Sequence, residues 1–279
     1  MTTLAGRTLF VTGASRGIGL AIALAAARDG ANIAVVAKSD RPHPKLAGTI
    51  HTAAREIEAA GGRALALACD IRDEAAIDRA VAATVEHFGG IDILVNNASA
   101  IGLARTPDTP LKRFDLMMAV NVRGTWACTR ACLPHLAASA RAGRRAHVLT
   151  LAPPPTLDAR WYRDHAAYTI AKMGMSLAVV GHAAEFRDIG IAVNGLWPRT
   201  IIDTAAVSQL PGITVERGRL RQPAIVGDAA RAILVRDPAT CTGRFFLDEE
   251  ALAEAGVTDF ARYAVEPGRT DLMPDLFLD

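Results

Sequence analysis

What this chain lacks narrows it before any motif is read. It has four cysteines among 279 residues, and Cys69, Cys128, Cys132 and Cys241 stand in no C-x-x-C or Cys/His spacing. A disulfide framework and a zinc site are therefore excluded as organising features, and the thiols fit a reducing cytosol. No apolar run approaches the roughly 20 residues that a membrane span needs. The apolar stretch Thr8 to Val11 leads into a glycine-rich turn rather than a cleavage site, so an untargeted, cytoplasmic protein is expected. Charge of one sign is lacking too: 31 basic and 29 acidic residues are mixed along the chain and leave a net charge of +2. That balance excludes the basic stripe with which proteins track nucleic acid. What remains, 51% hydrophobic and 22% charged residues, is the composition of a protein that folds on its own core.

Short β-branched runs alternate with longer Ala-rich segments of helical period. The runs Leu9–Thr12, Ile33–Ala37, Ala64–Cys69, Ile91–Val95, His147–Leu151, Ala192–Leu196 and Phe245–Leu247 predict strands, and 18–28, 49–60, 74–87, 112–137, 166–186 and 226–235 predict helices. That supply suits an α/β fold: a single-domain, Rossmann-like, doubly wound parallel sheet of about seven strands with helices on both faces, spanning 1–279. Prolines 42 and 44, and Pro153, Pro154 and Pro155, mark irregular loops after the second and fifth strands. Ligands of such sheets bind outside those strand ends.

Residues 12–19 read T-G-A-S-R-G-I-G between an apolar strand and a helical pattern. In that context Gly13 can make the tight turn, Gly17 can admit a pyrophosphate and Gly19 can let helix pack on strand. The N–H groups of the following helix face the phosphates, so Ser15, Arg16 and Ile18 join the candidate cofactor contacts. The second strand ends Ala37-Lys38-Ser39-Asp40. Lys38 with Arg16 can hold a 2′-phosphate, which favours NADP(H); the weaker alternative is NAD(H), with Asp40 on the ribose diol. Asp70 and Ile71 end the third strand, where the carboxylate can reach the adenine amino group or cap a helix. Asn96, Asn97 and Ala98 close the fourth strand with small or amide side chains.

Tyr168 and Lys172 are four apart at the start of a helical pattern and share one face. A phenol with a reference pKa of about 10 exchanges protons at neutral pH only if a cation favours its anion, which Lys172, with the positively charged nicotinamide of an oxidised cofactor, could supply. In order and spacing, the glycine turn, Asn96 to Ser99, Asn121 and the Tyr168/Lys172 pair resemble the short-chain dehydrogenase/reductase pattern over nearly the whole chain. The hydroxysteroid dehydrogenase-like group is especially similar, through Lys38, Pro42-His43-Pro44-Lys45-Leu46, the Asn97 to Ile101 run and Trp197-Pro198. Larger members of that group carry a sterol-carrier domain and a peroxisomal signal; this chain, ending Leu276-Phe277-Leu278-Asp279, is expected to carry neither.

The resemblance implies a hydride transfer between nicotinamide and a small-molecule carbonyl or alcohol. Tyr168 is then the general acid/base, Lys172 the holder of the nicotinamide ribose, and Asn121 the anchor of a proton-relay water. Pro198, the Ile201 backbone and the Thr204 hydroxyl fall where the family receives the carboxamide. The family's carbonyl-polarising serine is missing: no serine lies between Thr150 and Ala167, and Ala152 stands in its place. Thr156, Trp161, Tyr162 and His165 are the candidate substitutes. The alternative is an NADP-binding regulatory or scaffold protein with weak or lost catalysis. Substrate choice is expected from a lid over 201–223, with Pro211-Gly212 at its middle. Its Leu210, Ile213 and Val215 suit a lipid-like carbonyl, whereas Arg217, Arg219 and Arg221 suit an acidic group. Residues 248–279 form a C-terminal extension. Small residues Gly174, Ala178, Gly181 and Ala184 on the Tyr168 helix suggest a homodimer or homotetramer.

Overall fold

The computed structural model describes residues 2–44, 46–210 and 215–278. Lys45, and Pro211, Gly212 and Ile213 of the expected lid, lie outside the described residues. Seven parallel strands form one sheet: β1 Thr8–Thr12, β2 Asn32–Ala37, β3 Arg63–Ala68, β4 Ile93–Asn96, β5 His147–Thr150, β6 Ala192–Trp197 and β7 Phe245–Leu247, in the order β3-β2-β1-β4-β5-β6-β7. This is the expected Rossmann-like sheet. Its strands are near-continuous apolar runs because both faces are covered. On β1, Leu9 and Val11 enter one core with Ile22 and Ile225, whereas Phe10 enters the other with Ile77, Cys128 and Val179. The period of two along each strand thus divides the core into two layers.

One face carries α1 Gly17–Ala27, α2 Ile50–Ala59, α9 Ala224–Leu234 and α10 Asp248–Glu254; the other carries α3 Glu74–Phe88, α5 Thr125–Arg141 and α7 Ala166–Glu185. The helix expected over 112–137 is interrupted: α4 Leu111–Met117 passes into a π-helical turn, Met118–Gly124, before α5 begins. Such turns are rare and concentrate at functional sites. Here Gly124 permits the close approach, since a Cβ on it would lie 2.6 Å from Ile71 Cδ1. Two single turns, α6 Arg160–Arg163 and α8 Ala205–Ser208, and the helix α10 have no counterpart in the sequence reading. The strand order reverses between β1 and β4, and the C-terminal ends of those strands open the crevice where such sheets bind ligands.

His147 opens β5 at the opposite end of the sheet. It is 1% exposed, Nε2 donates to the Arg236 carbonyl at 3.2 Å, and Nδ1 has no partner. Burial, with the nearby Arg7 guanidinium, lowers its pKa from 6.5 to about 4. Between those values the unfolded chain takes a proton that the folded chain refuses, so stability rises with pH there and is lost as pH falls from about 6.5 to about 4. The slope expected is about 1.4 kcal/mol per pH unit within that window. Urea unfolding of the protein and of His147→Asn across pH 4 to 7 checks this: the two stability curves converge as pH falls, and parallel curves would refute the assignment.

Candidate functional site

The turn after β1 is built on glycines that the geometry requires. Gly13 has φ +68° and Gly17 φ +58°, values that glycine adopts without penalty. A Cβ on Gly13 would meet Asn97 Nδ2 at 2.8 Å, and one on Gly19 would meet the same atom at 2.5 Å and the Gly13 carbonyl at 2.6 Å. Asn97 is that close because its amide donates to the carbonyls of Thr12 at 2.8 Å and Gly13 at 3.2 Å, while the Asn97 and Ala98 N–H groups donate to the Thr12 hydroxyl. Gly17 faces Thr204, whose Cγ2 would lie 3.4 Å from a Cβ there. Ser15 is buried and Ile18, in the first turn of α1, packs half-buried on the core.

Arg16 lies across this turn onto the loop after β2. Its Nε donates to the Ala47 carbonyl at 2.7 Å, and Nη2 donates to Ser39 Oγ at 3.1 Å and the Gly48 carbonyl at 2.5 Å. All three acceptors are neutral, and burial without a counter-charge lowers the Arg16 pKa from its ordinary value. Lys38, next to Ser39, is exposed and has no hydrogen-bond or ion-pair partner among the described residues. Asp40 is occupied by the His51 ring, Nε2 to Oδ1 at 2.8 Å. Asp70 is bound by Arg72, which holds its carboxyl below the usual range, and the cap of α3 is Asp73 instead. Ile71 points into the core against Gly124 rather than into the crevice.

Tyr168 and Lys172 stand on the first turns of α7, both buried. Lys172 Nζ donates to the Leu151 carbonyl at 2.8 Å and lies 5.0 Å from the centre of the Trp197 ring. Burial lowers the Lys172 pKa to about 7, and the Asp275 carboxylate opposes that shift. The Tyr168 phenol is pushed above its ordinary value by burial and then by Asp275, and Asp275 itself is raised to about 7 by burial. Asn121 is fully buried in the π-helical turn, where Oδ1 accepts from the Ala100 N–H at 2.7 Å and Nδ2 donates to its carbonyl at 3.0 Å. That amide clamps the loop after β4 beside α7.

Ala152 is buried at the position of the missing serine. Thr156 Oγ accepts the Asp158 N–H at 3.1 Å within its own turn, the Tyr162 hydroxyl donates to the Thr156 carbonyl, and His165 Nδ1 pairs with Thr169 Oγ at 3.0 Å. The lid arginines are also engaged: Arg217 with Asp203, Arg219 with Asp271 and buried Arg221 with Glu249. Each therefore already has a carboxylate partner, Arg221 in a largely buried pair and Arg217 and Arg219 in solvent-exposed ones. Pro198 is buried, and the Ile201 N–H, expected to face a carboxamide, donates to the Met273 carbonyl at 3.0 Å.

Residues 273–278 are the part of the site that sequence reasoning missed. They run back along 199–201, and their Asp275 and Phe277 reach the Tyr168 helix. The one signal was the dense apolar run Leu276-Phe277-Leu278 near the end of the extension.

A Cβ-intolerant cradle at Gly13 and Gly19, an arginine without a counter-ion at its rim and a buried lysine beside a phenol all fit a nicotinamide dinucleotide laid along the crevice. Among the described residues no helix is long and apolar enough to cross a membrane, and no group of three metal-ligating side chains occurs.

The model of the short chain dehydrogenase family matches residues 7–211. Hydroxysteroid dehydrogenase-like protein 2 of Rattus norvegicus is 57% identical over 99% of this chain, which spans 51% of that relative's length. A short chain dehydrogenase from Mycobacterium thermoresistibile superposes with a TM-score of 0.91 at 52% identity, covering 99% of this chain and 96% of the other. A dehydrogenase candidate from Xanthomonas campestris gives 0.94 at 59% identity, with 99% of both chains covered. The sheet agrees with these matches, and the chain belongs to the short-chain dehydrogenase/reductase family of nicotinamide-dependent oxidoreductases.

Proposed function

We propose that this protein is an NADP(H)-dependent dehydrogenase or reductase of a carbonyl/alcohol pair, with Tyr168 as its general acid/base. The observation that carries the cofactor choice is the pair of cations at the end of β2. Neither Arg16 nor Lys38 forms an ion pair among the described residues, although Lys38 lies within electrostatic reach of Asp70, and the competing Asp40 is paired with His51. Two cations outside any ion pair, beside a helix N-terminus, favour the dianionic 2′-phosphate over a neutral diol.

A nicotinamide dinucleotide held along the crevice by the glycine turn would supply hydride chemistry at the substrate carbon. In reduction Tyr168 donates its phenolic proton to the oxygen that gains charge, and in oxidation it takes that proton back. Lys172, fixed by the Leu151 carbonyl one helical turn from Tyr168, would in its ammonium form favour the phenolate. Asn121 keeps the loop after β4 against α7, so that phenol and crevice stay in register. Ala152 offers no hydroxyl, which favours a second reading as a binding protein with weak chemistry. Loss of turnover in Tyr168→Phe, with cofactor binding retained, separates the two.

The four cysteines are free and buried, and burial raises the thiol pKa of each. Buried thiols of this kind support the reading of a cytoplasmic protein.

Assembly through α7 also belongs to this reading, though not through every small residue first considered. Gly174 faces inward, since a Cβ there would lie 2.7 Å from Val122 Cγ2, whereas Gly181 and Ala184 are exposed beside the exposed Leu177 and Val180. An apolar stripe on one helix suits a second copy of the chain.

Three outcomes are expected. Fluorescence titration gives NADPH a dissociation constant at least about tenfold below that of NADH, and Lys38→Asp inverts the order; equal binding of the two cofactors sinks the assignment. Asp275→Asn removes a negative charge beside the phenol and moves the rising limb of alcohol oxidation to lower pH by about half a unit to one unit; an unmoved limb means Asp275 does not act on Tyr168. Sedimentation finds a dimer or tetramer that Leu177→Arg with Val180→Arg converts to monomer.

A further inference from the structure

Tyr168 and Lys172 are 4% and 3% exposed, so no substrate oxygen reaches the phenol while the fold stays as it stands. The cover is the strap 273–278. Four hydrogen bonds tie it to the end of β6, to the segment that follows it and to Arg219: Met273 N–H to the Arg219 carbonyl, Ile201 N–H to the Met273 carbonyl, Asp275 N–H to the Arg199 carbonyl, and Trp197 Nε1 to the Leu276 carbonyl at 2.9 Å. Phe277 then enters a box of rings, its centroid 5.7 Å from Trp161 and from Trp197, 6.2 Å from Tyr168 and 6.3 Å from His165. These separations are those of favourable aromatic pairs. Met117, Met173 and Leu247 extend the same apolar cluster.

Two features mark the strap as an occupant rather than a fixed wall. Phe277 has φ +70°, a left-handed conformation that a bulky side chain holds only where its surroundings over-determine it. The strap also takes the Ile201 N–H, the group that the family resemblance assigns to the nicotinamide carboxamide. One movement of the strap would therefore relieve the backbone, free that donor and uncover the phenol.

We propose that the box formed by Trp161, His165, Tyr168 and Trp197 is the subsite for the apolar end of the substrate, that the Phe277 side chain occupies it as an internal stand-in, and that the substrate is a carbonyl or alcohol bearing an aryl group of benzyl size that displaces the strap. This rests on the reading of Tyr168 as the group that meets the substrate oxygen. The stand-in defines the class: a benzyl group fills the box, and the reacting carbon must then lie within reach of the adjacent phenol. The reaction stays balanced as a reversible transfer of one hydride to or from NADP(H) and one proton through Tyr168. A substrate that must first displace Phe277 binds with an affinity reduced by the fraction of strap that is open.

The test uses the whole chain with NADP⁺, 4-phenyl-2-butanol as probe and 2-butanol as control. Hydrogen exchange of the peptides covering 199–203 and 272–278 reports the strap directly, because the Ile201 and Asp275 amides are bonded across it. Adding 4-phenyl-2-butanol to the NADP⁺ complex should speed exchange of these peptides, whereas 2-butanol should not. Unchanged or slower exchange with the phenyl alcohol overturns the proposal, since a ligand that packs against a fixed wall protects it. Saturation-transfer NMR should find 4-phenyl-2-butanol bound at least about tenfold more tightly by Phe277→Ala, with 2-butanol changed less than about threefold; equal or weaker binding of the phenyl alcohol overturns it. Faster exchange without any NADPH formed would refute the proposed reaction while leaving the subsite standing. Turnover of both alcohols with a protected strap would do the reverse.

Discussion

The amide of Asn97, donating to the carbonyls of Thr12 and Gly13, is the contact on which the whole crevice depends. It draws the end of β4 onto the turn after β1 at the point where the strand order reverses. Because the approach is so close, Gly13 and Gly19 have no room for a side chain. The turn is thereby held in the shape that points the N-terminus of α1 into the crevice. The Thr12 hydroxyl, accepting from the N–H groups of Asn97 and Ala98, ties the same two strand ends from the other side.

From that fixed edge the remaining groups are set by longer lever arms. Asn121 carries the restraint to the loop after β4, and the π-helical turn that holds it packs against α7 through Val122 and Gly174. The consequence is a buried lysine and a buried phenol in one register. Neither is stable in its charged form at that depth without help, and the Lys172 pKa of about 7 expresses the cost. The Leu151 carbonyl, the Trp197 ring and the Asp275 carboxylate each favour the ammonium form. Asp275 has the opposite effect on chemistry, since the same charge disfavours a phenolate. The site is thus electrostatically poised between its two ends.

The strap over Tyr168 and the pairing of the lid arginines give the substrate side one consistent character. Arg217, Arg219 and Arg221 are neutralised by Asp203, Asp271 and Glu249, which leaves the apolar rings as the recognising surface. To reach the Arg221 cation an acidic substrate would have to break its largely buried pair with Glu249, whereas Arg217 and Arg219 lie in solvent-exposed pairs.

The sequence by itself determined the sheet, the glycine turn and the Tyr168/Lys172 face, because each is written in local spacing. A period of two gives strands, 3.6 gives helices, and four residues bring two side chains to one side of a helix. The cations Arg16 and Lys38 were legible for the same reason, both lying at the ends of recognisable elements. What only the tertiary structure decided are contacts between segments far apart in the chain. No local pattern announces that Phe277 packs on Tyr168, that the Ile201 N–H is taken by Met273, that Gly174 faces Val122, or that Ile71 turns into the core against Gly124. Such contacts depend on which buried surfaces fit once both layers of helices have closed on the sheet, and shape complementarity has no period in sequence.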